Sequence, residues 1–109
     1  MCEEGEIPYR YGVYASGANF TASSTVDIYV TSNKNWGTLR QPIGSDMGDG
    51  VNANVPTDSA GSFSCTQIWA SASTVGTYDV VVDNNQDGTF DTGVDAVDGE
   101  SNNPSFRVF

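Results

Sequence analysis

The chain has 109 residues, enough for one domain with a modest hydrophobic core. Its net charge of −10, with four basic residues, excludes the phosphate-neutralising patch that binding to nucleic acid needs, and it disfavours an anionic membrane surface. The absence of histidine excludes Ser-His-Asp and Cys-His catalysis and a histidine-ligated metal. The abundance of Ser, Thr, Gly, Asn, Asp and Val indicates an extracellular β-protein.

Three segments in the first half of the chain alternate apolar and polar residues, the period of two that marks a half-buried strand. They predict one strand over residues 7–15, a second over residues 25–31 and a short third one over residues 51–55, which Pro56 ends. The first of these segments is long enough to be donated to the sheet of a neighbouring molecule, although the simpler interpretation is that it is this domain's own first strand.

Residues 32–50 give a weaker pattern. Trp36, Leu39 and Ile43 are spaced like the apolar anchors of a strand and its return. Asp46 and Asp49 lie among glycines, and we interpret them as part of a turn rather than of an ion site.

Three further strands are predicted in the second half, over residues 62–70, 77–83 and 106–109. In the first of them alternation places Cys65 and Gln67 on the same face, unless a bulge turns Ile68 inward in place of Gln67. About seven short strands with regular turn signals and no helical periodicity predict an all-β protein, an antiparallel β-sandwich.

Two segments resemble immunoglobulin-like modules of bacterial and archaeal surface proteins. They are D-S-A-G-S-F at residues 58–63, before a strand, and G-T-Y-D-V-V-V-D at residues 76–83. The resemblance implies a single immunoglobulin-like β-sandwich over residues 1–109, in which Tyr78 forms a tyrosine corner and the acidic loop of residues 83–100 joins the last two strands.

Acidic residues are concentrated near the end of the chain. Half of the fourteen acids lie between residues 79 and 100, and no basic residue occurs between Arg40 and Arg107. Aspartates recur every fourth residue from 79 to 95, which on a helix would place like charges side by side, so a strand followed by a loop is the better interpretation. Carboxylates held this close repel one another, so a compact fold of this loop costs energy unless a cation sits within it. We therefore predict a bound cation.

The loop matches the Ca²⁺-binding pattern D-x-[DN]-x-[DN]-G. Positions 1, 3, 5, 6, 7 and 9 are Asp83, Asn85, Asp87, Gly88, Thr89 and Asp91. The segment resembles the calcium loops of dockerins, thrombospondin type 3 repeats and other EF-hand-like loops of extracellular proteins.

That resemblance implies Ca²⁺ bound by the side chains of Asp83, Asn85, Asp87 and Asp91 and by the main-chain carbonyl of Thr89. The pattern departs at position 12, where Val94 replaces an acid, and Asp95 and Asp98 are the candidates that close the site. The alternative is a plain turn of acidic and turn-forming residues. Mg²⁺ is disfavoured because it retains its waters.

Two cysteines, Cys2 and Cys65, permit one disulfide, which would stabilise the fold by about 4 kcal/mol. Alternatively, Cys65 is a small buried residue, or Cys2 anchors a lipid.

No apolar run approaches the roughly 20 residues of a membrane span, and no signal-peptide core is present, so we expect a mature or excised domain.

These observations predict a non-catalytic extracellular domain that binds calcium and belongs to a cell-surface or secreted protein. One alternative is a subunit of a calcium-stabilised filament assembled by strand donation. Another is a carbohydrate-binding module whose aromatic residues stack on sugars, namely Trp36, Trp69, Tyr9, Tyr11, Tyr14 and Tyr29. An acid-base enzyme is disfavoured because the clustered acids lack an apolar pocket that would raise one pKa.

Overall fold

Every regular element in the described part of the chain is a β-strand. The computed structural model describes residues 6–36, 40–48, 50–100 and 103–109. In these ranges there is no helix, so none is long and apolar enough to cross a membrane. The strands in chain order are β1 (Glu6–Ile7), β2 (Val13–Gly17), β3 (Thr25–Ser32), β4 (Gln41–Pro42), β5 (Asn52–Pro56), β6 (Phe63–Trp69), β7 (Gly76–Asp83), β8 (Thr89–Phe90), β9 (Ala96–Glu100), β10 (Asn103–Pro104) and β11 (Phe106–Val108).

The larger sheet is built around β3 and β7, its two longest strands. They pair antiparallel, from Asp27 opposite Asp83 to Ser32 opposite Tyr78. β5 pairs with the other edge of β3, while β9 and β11 share the other edge of β7. β1 runs parallel to β11, so the sheet is mixed and not purely antiparallel as predicted.

A smaller sheet of β2 and β6 covers one face of the larger sheet and forms the main core with it. The larger sheet contributes the alternate residues of β3 and β7, which the pattern predicted to be buried: Val26, Ile28, Val30, Tyr78, Val80 and Val82. The smaller sheet contributes Val13, Ala15, Phe63, Ile68 and Trp69. Burying each large apolar side chain contributes about 1.5–3 kcal/mol, which makes this interface the main source of stability.

The opposite face of the larger sheet, here called the outer face, is covered by loops. Val81 packs there with Trp36, Ile43 and Phe90, and the rings of Trp36 and Phe90 meet edge-on at 5.5 Å. Burial on both faces explains the unbroken run of valines in β7. Since side chains alternate along a strand, Asp79 and Asp83 lie on the same outer face as Val81.

The strands predicted over residues 25–31, 77–83 and 106–109 are present as β3, β7 and β11. The single strand predicted over residues 7–15 is wrong. The chain turns between Ile7 and Val13, where Arg10 has a left-handed φ of 75°, and the two ends enter different sheets as β1 and β2. Alternation alone did not reveal this turn, and both halves are paired within this chain.

A bulge determines which side chains of β6 face the core. Ile68 and Trp69 are adjacent and both buried, whereas Gln67 is exposed, and the pairing of β2 with β6 is irregular. The alternative in which Ile68 turns inward is therefore the observed one. Cys65 is exposed on this strand and is disulfide-bonded, so it is not a small buried residue. The only other cysteine in the sequence, Cys2, lies outside the described residues.

The described parts of residues 32–50 contain the two-residue strand β4 in place of a full strand and its return. Asp46 organises a turn, since its carboxylate accepts hydrogen bonds from the main-chain N–H groups of Val30, Gly48 and Gly50 at 2.7, 2.9 and 3.1 Å. The predicted positions of Leu39 and Asp49 lie outside the described residues.

Candidate metal centre

The acidic loop begins where β7 ends on the outer face of the larger sheet. Gly88 makes the sharp turn with a φ of 78°, a conformation that suits glycine, and the short β8 then pairs with β4. A second turn follows, in which the main-chain carbonyl of Asp91 accepts hydrogen bonds from the N–H groups of Val94 and Asp95 at 3.0 Å each. The loop thus folds back on itself before β9 rejoins β7.

The folded loop brings three of the predicted ligands together. Asp83, Asp87 and Asp95 each offer one carboxylate oxygen, and these oxygens lie within 4.8 Å of one another. Asp83 is fully buried, Asp95 is half-buried and Asp87 is exposed. Oxygen ligands converging in this way form a group that could hold a metal ion. Among the described residues, these three acids thus line one side of a candidate metal site, which is open to solvent at Asp87.

The hydrogen bonds of Asp83 satisfy only half of its carboxylate. Oδ2 accepts the main-chain N–H of Gly88 at 2.7 Å, while the buried Oδ1 has no hydrogen-bond partner. By contrast, both oxygens of Asp95 accept main-chain N–H groups, from Asn84 at 2.7 Å and from Asp91 at 2.8 Å. Leaving a buried carboxylate oxygen without a hydrogen-bond donor costs free energy. A cation would therefore stabilise the loop most by binding Oδ1 of Asp83.

The protonation of the group reflects the same surroundings. Burial raises the pKa of Asp83, and the nearby charges of Asp95 and Asp87 add to this effect, while main-chain hydrogen bonds from Gly88 and Asp87 oppose it. Burial likewise raises the pKa of Asp95. The N–H of Thr89, which donates to Asp87 at 3.0 Å, lowers the pKa of Asp87. The pKa values of two members of the group thus lie above that of an ordinary aspartate, mainly because burial disfavours the charged form of each carboxylate.

The remaining predicted ligands lie around this group. Asp91 accepts a hydrogen bond from the Asn85 side-chain amide at 3.1 Å, and its other oxygen lies 3.8 Å from Nε of Arg40. Thr89 lies in β8, and its main-chain N–H donates to Asp87 of the group at 3.0 Å. Asp98 lies on β9 opposite Val80, and its carboxylate accepts the hydroxyl of Ser105 at 2.7 Å. Of the two candidates for closing the site, Asp95 is the one that joins Asp83 and Asp87.

Asp79 provides an internal comparison, because it is as deeply buried as Asp83 and lies on the same face of β7. Its Oδ1 accepts the side-chain amide of Asn33 at 2.8 Å. Its Oδ2 accepts the main-chain N–H of Lys34 at 3.1 Å and the indole N–H of Trp36 at 2.8 Å. Both oxygens of Asp79 are therefore satisfied by the chain itself, and the orphaned oxygen of Asp83 is a feature of the loop rather than of β7.

Three residues near the group were not identified from the sequence. Arg40 reaches the loop from a distant part of the chain, and Gln86 is a loop residue at a position that the calcium pattern leaves open. Tyr29 lies on the outer face; burial raises its pKa, and the charges of Asp83 and Asp27 raise it further. The polar alternation of β3 is the one signal that could have drawn attention to Tyr29 and Asp27.

The aromatic residues that suggested sugar binding do not form one surface. Both tryptophans, Trp36 and Trp69, are buried in the two core clusters, whereas Tyr9, Tyr11 and Tyr14 are exposed.

Comparison with protein-family models, with characterised proteins and with solved structures finds no match to this chain.

Proposed function

We propose that the protein is a non-catalytic, extracellular structural domain whose loop at residues 83–95 binds Ca²⁺. The observation that carries this proposal is the buried Oδ1 of Asp83, which has no hydrogen-bond donor and belongs to a group of three carboxylates. One divalent cation would supply the missing partner of Asp83 and neutralise most of the charge shared with Asp87 and Asp95.

The number and type of ligands in the group favour Ca²⁺ over Mg²⁺. Mg²⁺ retains several of its waters and is usually bound by one or two protein carboxylates, whereas Ca²⁺ takes several protein oxygens in a flexible geometry. A loop that brings three carboxylates together therefore suits Ca²⁺ better. Exposed Asp87 leaves room for water to complete the six to eight oxygen ligands that Ca²⁺ takes.

The position of the loop supports a structural role. It connects β7 to β9 and, through β8, also reaches β4, so three separate parts of the chain meet at it. A bound cation would hold these connections together against the repulsion of the acids. The disulfide-bonded Cys65 and the acidic, Ser- and Thr-rich composition support an extracellular setting.

The immunoglobulin-like assignment is part of the proposal and rests on pairing and on one side chain. Strand β2 pairs with β6, β3 pairs with β7, and β1 runs parallel to β11. Near the start of β7, the hydroxyl of Tyr78 donates to the carbonyl of Thr74, four residues upstream, at 2.7 Å. That contact is the one expected of a tyrosine corner.

Calorimetric titration of chelator-treated protein tests the proposed site. We expect one Ca²⁺ to bind per chain and Mg²⁺ to bind more weakly, because Mg²⁺ gives up its waters reluctantly and takes fewer protein ligands. Extracellular calcium modules bind with Kd on the order of 10⁻⁴ to 10⁻³ M, so the titration has to extend to several millimolar. If neither Ca²⁺ nor Mg²⁺ produces heat or a spectral change over that range, the proposal is refuted.

Arg40 is expected to weaken cation binding. Its exposed guanidinium lies 3.8 Å from Asp91, so it places a positive charge beside the site and competes for a predicted ligand. Removing that charge in Arg40→Gln should raise the Ca²⁺ affinity about two- to fourfold at low salt, and by less at high salt, because screening weakens the repulsion. Arg40→Lys keeps the charge and serves as the control. A lower affinity in Arg40→Gln would instead mean that Arg40 organises the loop.

A further inference from the structure

Gln86 occupies the fourth position of the acidic loop, between Asn85 and Asp87, and its backbone is unusual. Its φ of 57° lies in the left-handed region, which is unfavourable for a long side chain. The side chain of Gln86 reaches the larger sheet. A residue kept in such a conformation needs compensating contacts.

The side chain of Gln86 makes three hydrogen bonds, all to β3 and β5. Its Oε1 accepts the hydroxyl of Thr25 at 3.0 Å. Its Nε2 donates to Oδ1 of Asp27 at 2.8 Å and to Oδ1 of Asn54 at 2.9 Å. Both the donor and the acceptor of the amide are therefore used, and the loop is attached to two strands that contribute no acid to the group of three.

The contacts of Gln86 fall on an irregular point of the sheet. The register between β3 and β5 shifts beside Asp27, and Asn54 also has a left-handed φ of 57°. The main-chain N–H of Asn54 donates to Oδ1 of Asp27 at 2.9 Å, so Asp27 and Gln86 together hold this bulge. β5 is the terminal strand of the larger sheet, where fewer neighbours stabilise the backbone.

The same point lies next to the candidate cation site. Asp27 is the cross-strand partner of Asp83, the buried acid with the orphaned oxygen. Two acids opposite each other in a sheet repel, and the amide of Gln86 offsets this by donating to Asp27. Gln86 thus bridges the loop that would hold a cation and the bulge in the edge strand.

We propose that Gln86 is a positioning residue for the cation site and that cation binding, acting through it, orders the β5 edge of the sheet. This inference rests on the proposed function. With Gln86 bonded to Asp27 and Asn54, the loop is held partly in its binding conformation before the cation arrives. Coupling between two sites is reciprocal, so a cation that fixes the loop must also strengthen the bulge.

Gln86→Asn tests the proposal, because asparagine tolerates the left-handed backbone but is one methylene too short to bridge to β5. We expect Ca²⁺ affinity, measured by calorimetry, to fall about tenfold, which corresponds to about 1.4 kcal/mol. Hydrogen exchange is the second readout. In the wild type, Ca²⁺ should slow exchange at the amides of residues 52–55, and in Gln86→Asn this slowing should be lost while the loop itself is still protected.

Two further variants sharpen the test. Thr92→Ala, at an exposed position of the same loop, is the matched control and should leave both readouts unchanged. Asn54→Gly removes the acceptor on β5 while suiting its left-handed backbone, so it should remove the calcium-dependent protection of β5 from the other side of the contact.

The outcomes separate this inference from the cation site itself. If the wild type binds no Ca²⁺ in calorimetry, the proposed function fails and this inference fails with it. If the wild type and Gln86→Asn bind Ca²⁺ with the same affinity and protect β5 equally, the cation site stands and the role of Gln86 is overturned.

Discussion

Replacing Asp83 with asparagine is expected to abolish the calcium-dependent stabilisation of this domain while leaving the metal-free form at least as stable as the wild type. The substitution removes one of three clustered charges and gives the orphaned position an amide that can donate to Asp87 or Asp95. The retained oxygen can still accept the N–H of Gly88. The metal-free loop therefore loses repulsion, and the cation loses its buried ligand.

The measurement is thermal unfolding in chelator and in Ca²⁺. At a hundredfold excess over Kd, Ca²⁺ should stabilise the wild type by about 2.7 kcal/mol, a rise in Tm on the order of 10 °C for a domain of this size. Asp83→Asn should show no rise. Asp98→Asn is the control, because Asp98 lies on β9 bonded to Ser105, and it should keep the full response. If Asp83→Asn keeps the wild-type response, the cation does not bind at Asp83.

Replacing Asp79 with alanine is expected to destabilise the domain by about 3–5 kcal/mol whether or not calcium is present. The substitution leaves the side-chain amide of Asn33, the main-chain N–H of Lys34 and the indole N–H of Trp36 without their common acceptor. These groups lie under the loops that cover the outer face, where water cannot replace the carboxylate without opening the smaller core cluster around Val81.

Urea unfolding in chelator and in Ca²⁺, followed by tryptophan fluorescence, measures this effect. Asp79→Ala should lower the free energy of unfolding equally in both conditions, and the emission of Trp36 should shift to the red as the indole is exposed. Asp98→Ala, an exposed acid on the neighbouring strand, should change stability by no more than about 0.5 kcal/mol. A loss confined to the calcium-containing sample would assign Asp79 to the cation site instead.

Together these two variants separate the functions of two aspartates that the sequence pattern treats alike. Asp79 and Asp83 are four residues apart on one face of β7 and are equally buried. One is satisfied by donors from the segment of residues 33–36, and the other retains an unpaired oxygen beside two more acids. The difference lies in what the neighbouring loops bring to each carboxylate.

Local pattern was sufficient to identify the all-β class and the central strands. The alternation in β3 and the valine run of β7 depend on which face of a strand is buried, and that information is carried by neighbouring residues in the chain. Short turns and bulges were harder to predict from the sequence. The break between Ile7 and Val13 arises from pairing with distant strands, and the apolar period continues through it without a signal. The bulge in β6 was one of two alternatives for that strand, and pairing with β2 decided between them.

The spacing of acids in the sequence also identified the loop and its main ligand candidates, since the turn at Gly88 and the positions of Asp83 and Asp87 are set within a few residues. Only the tertiary structure decided which acids meet. It brought Asp95 to the group, bonded Asp98 to Ser105, placed Arg40 against Asp91 and attached Gln86 to β3 and β5. Those contacts join residues from separate strands and loops, and their energies depend on burial and distance, which arise only when the chain is folded.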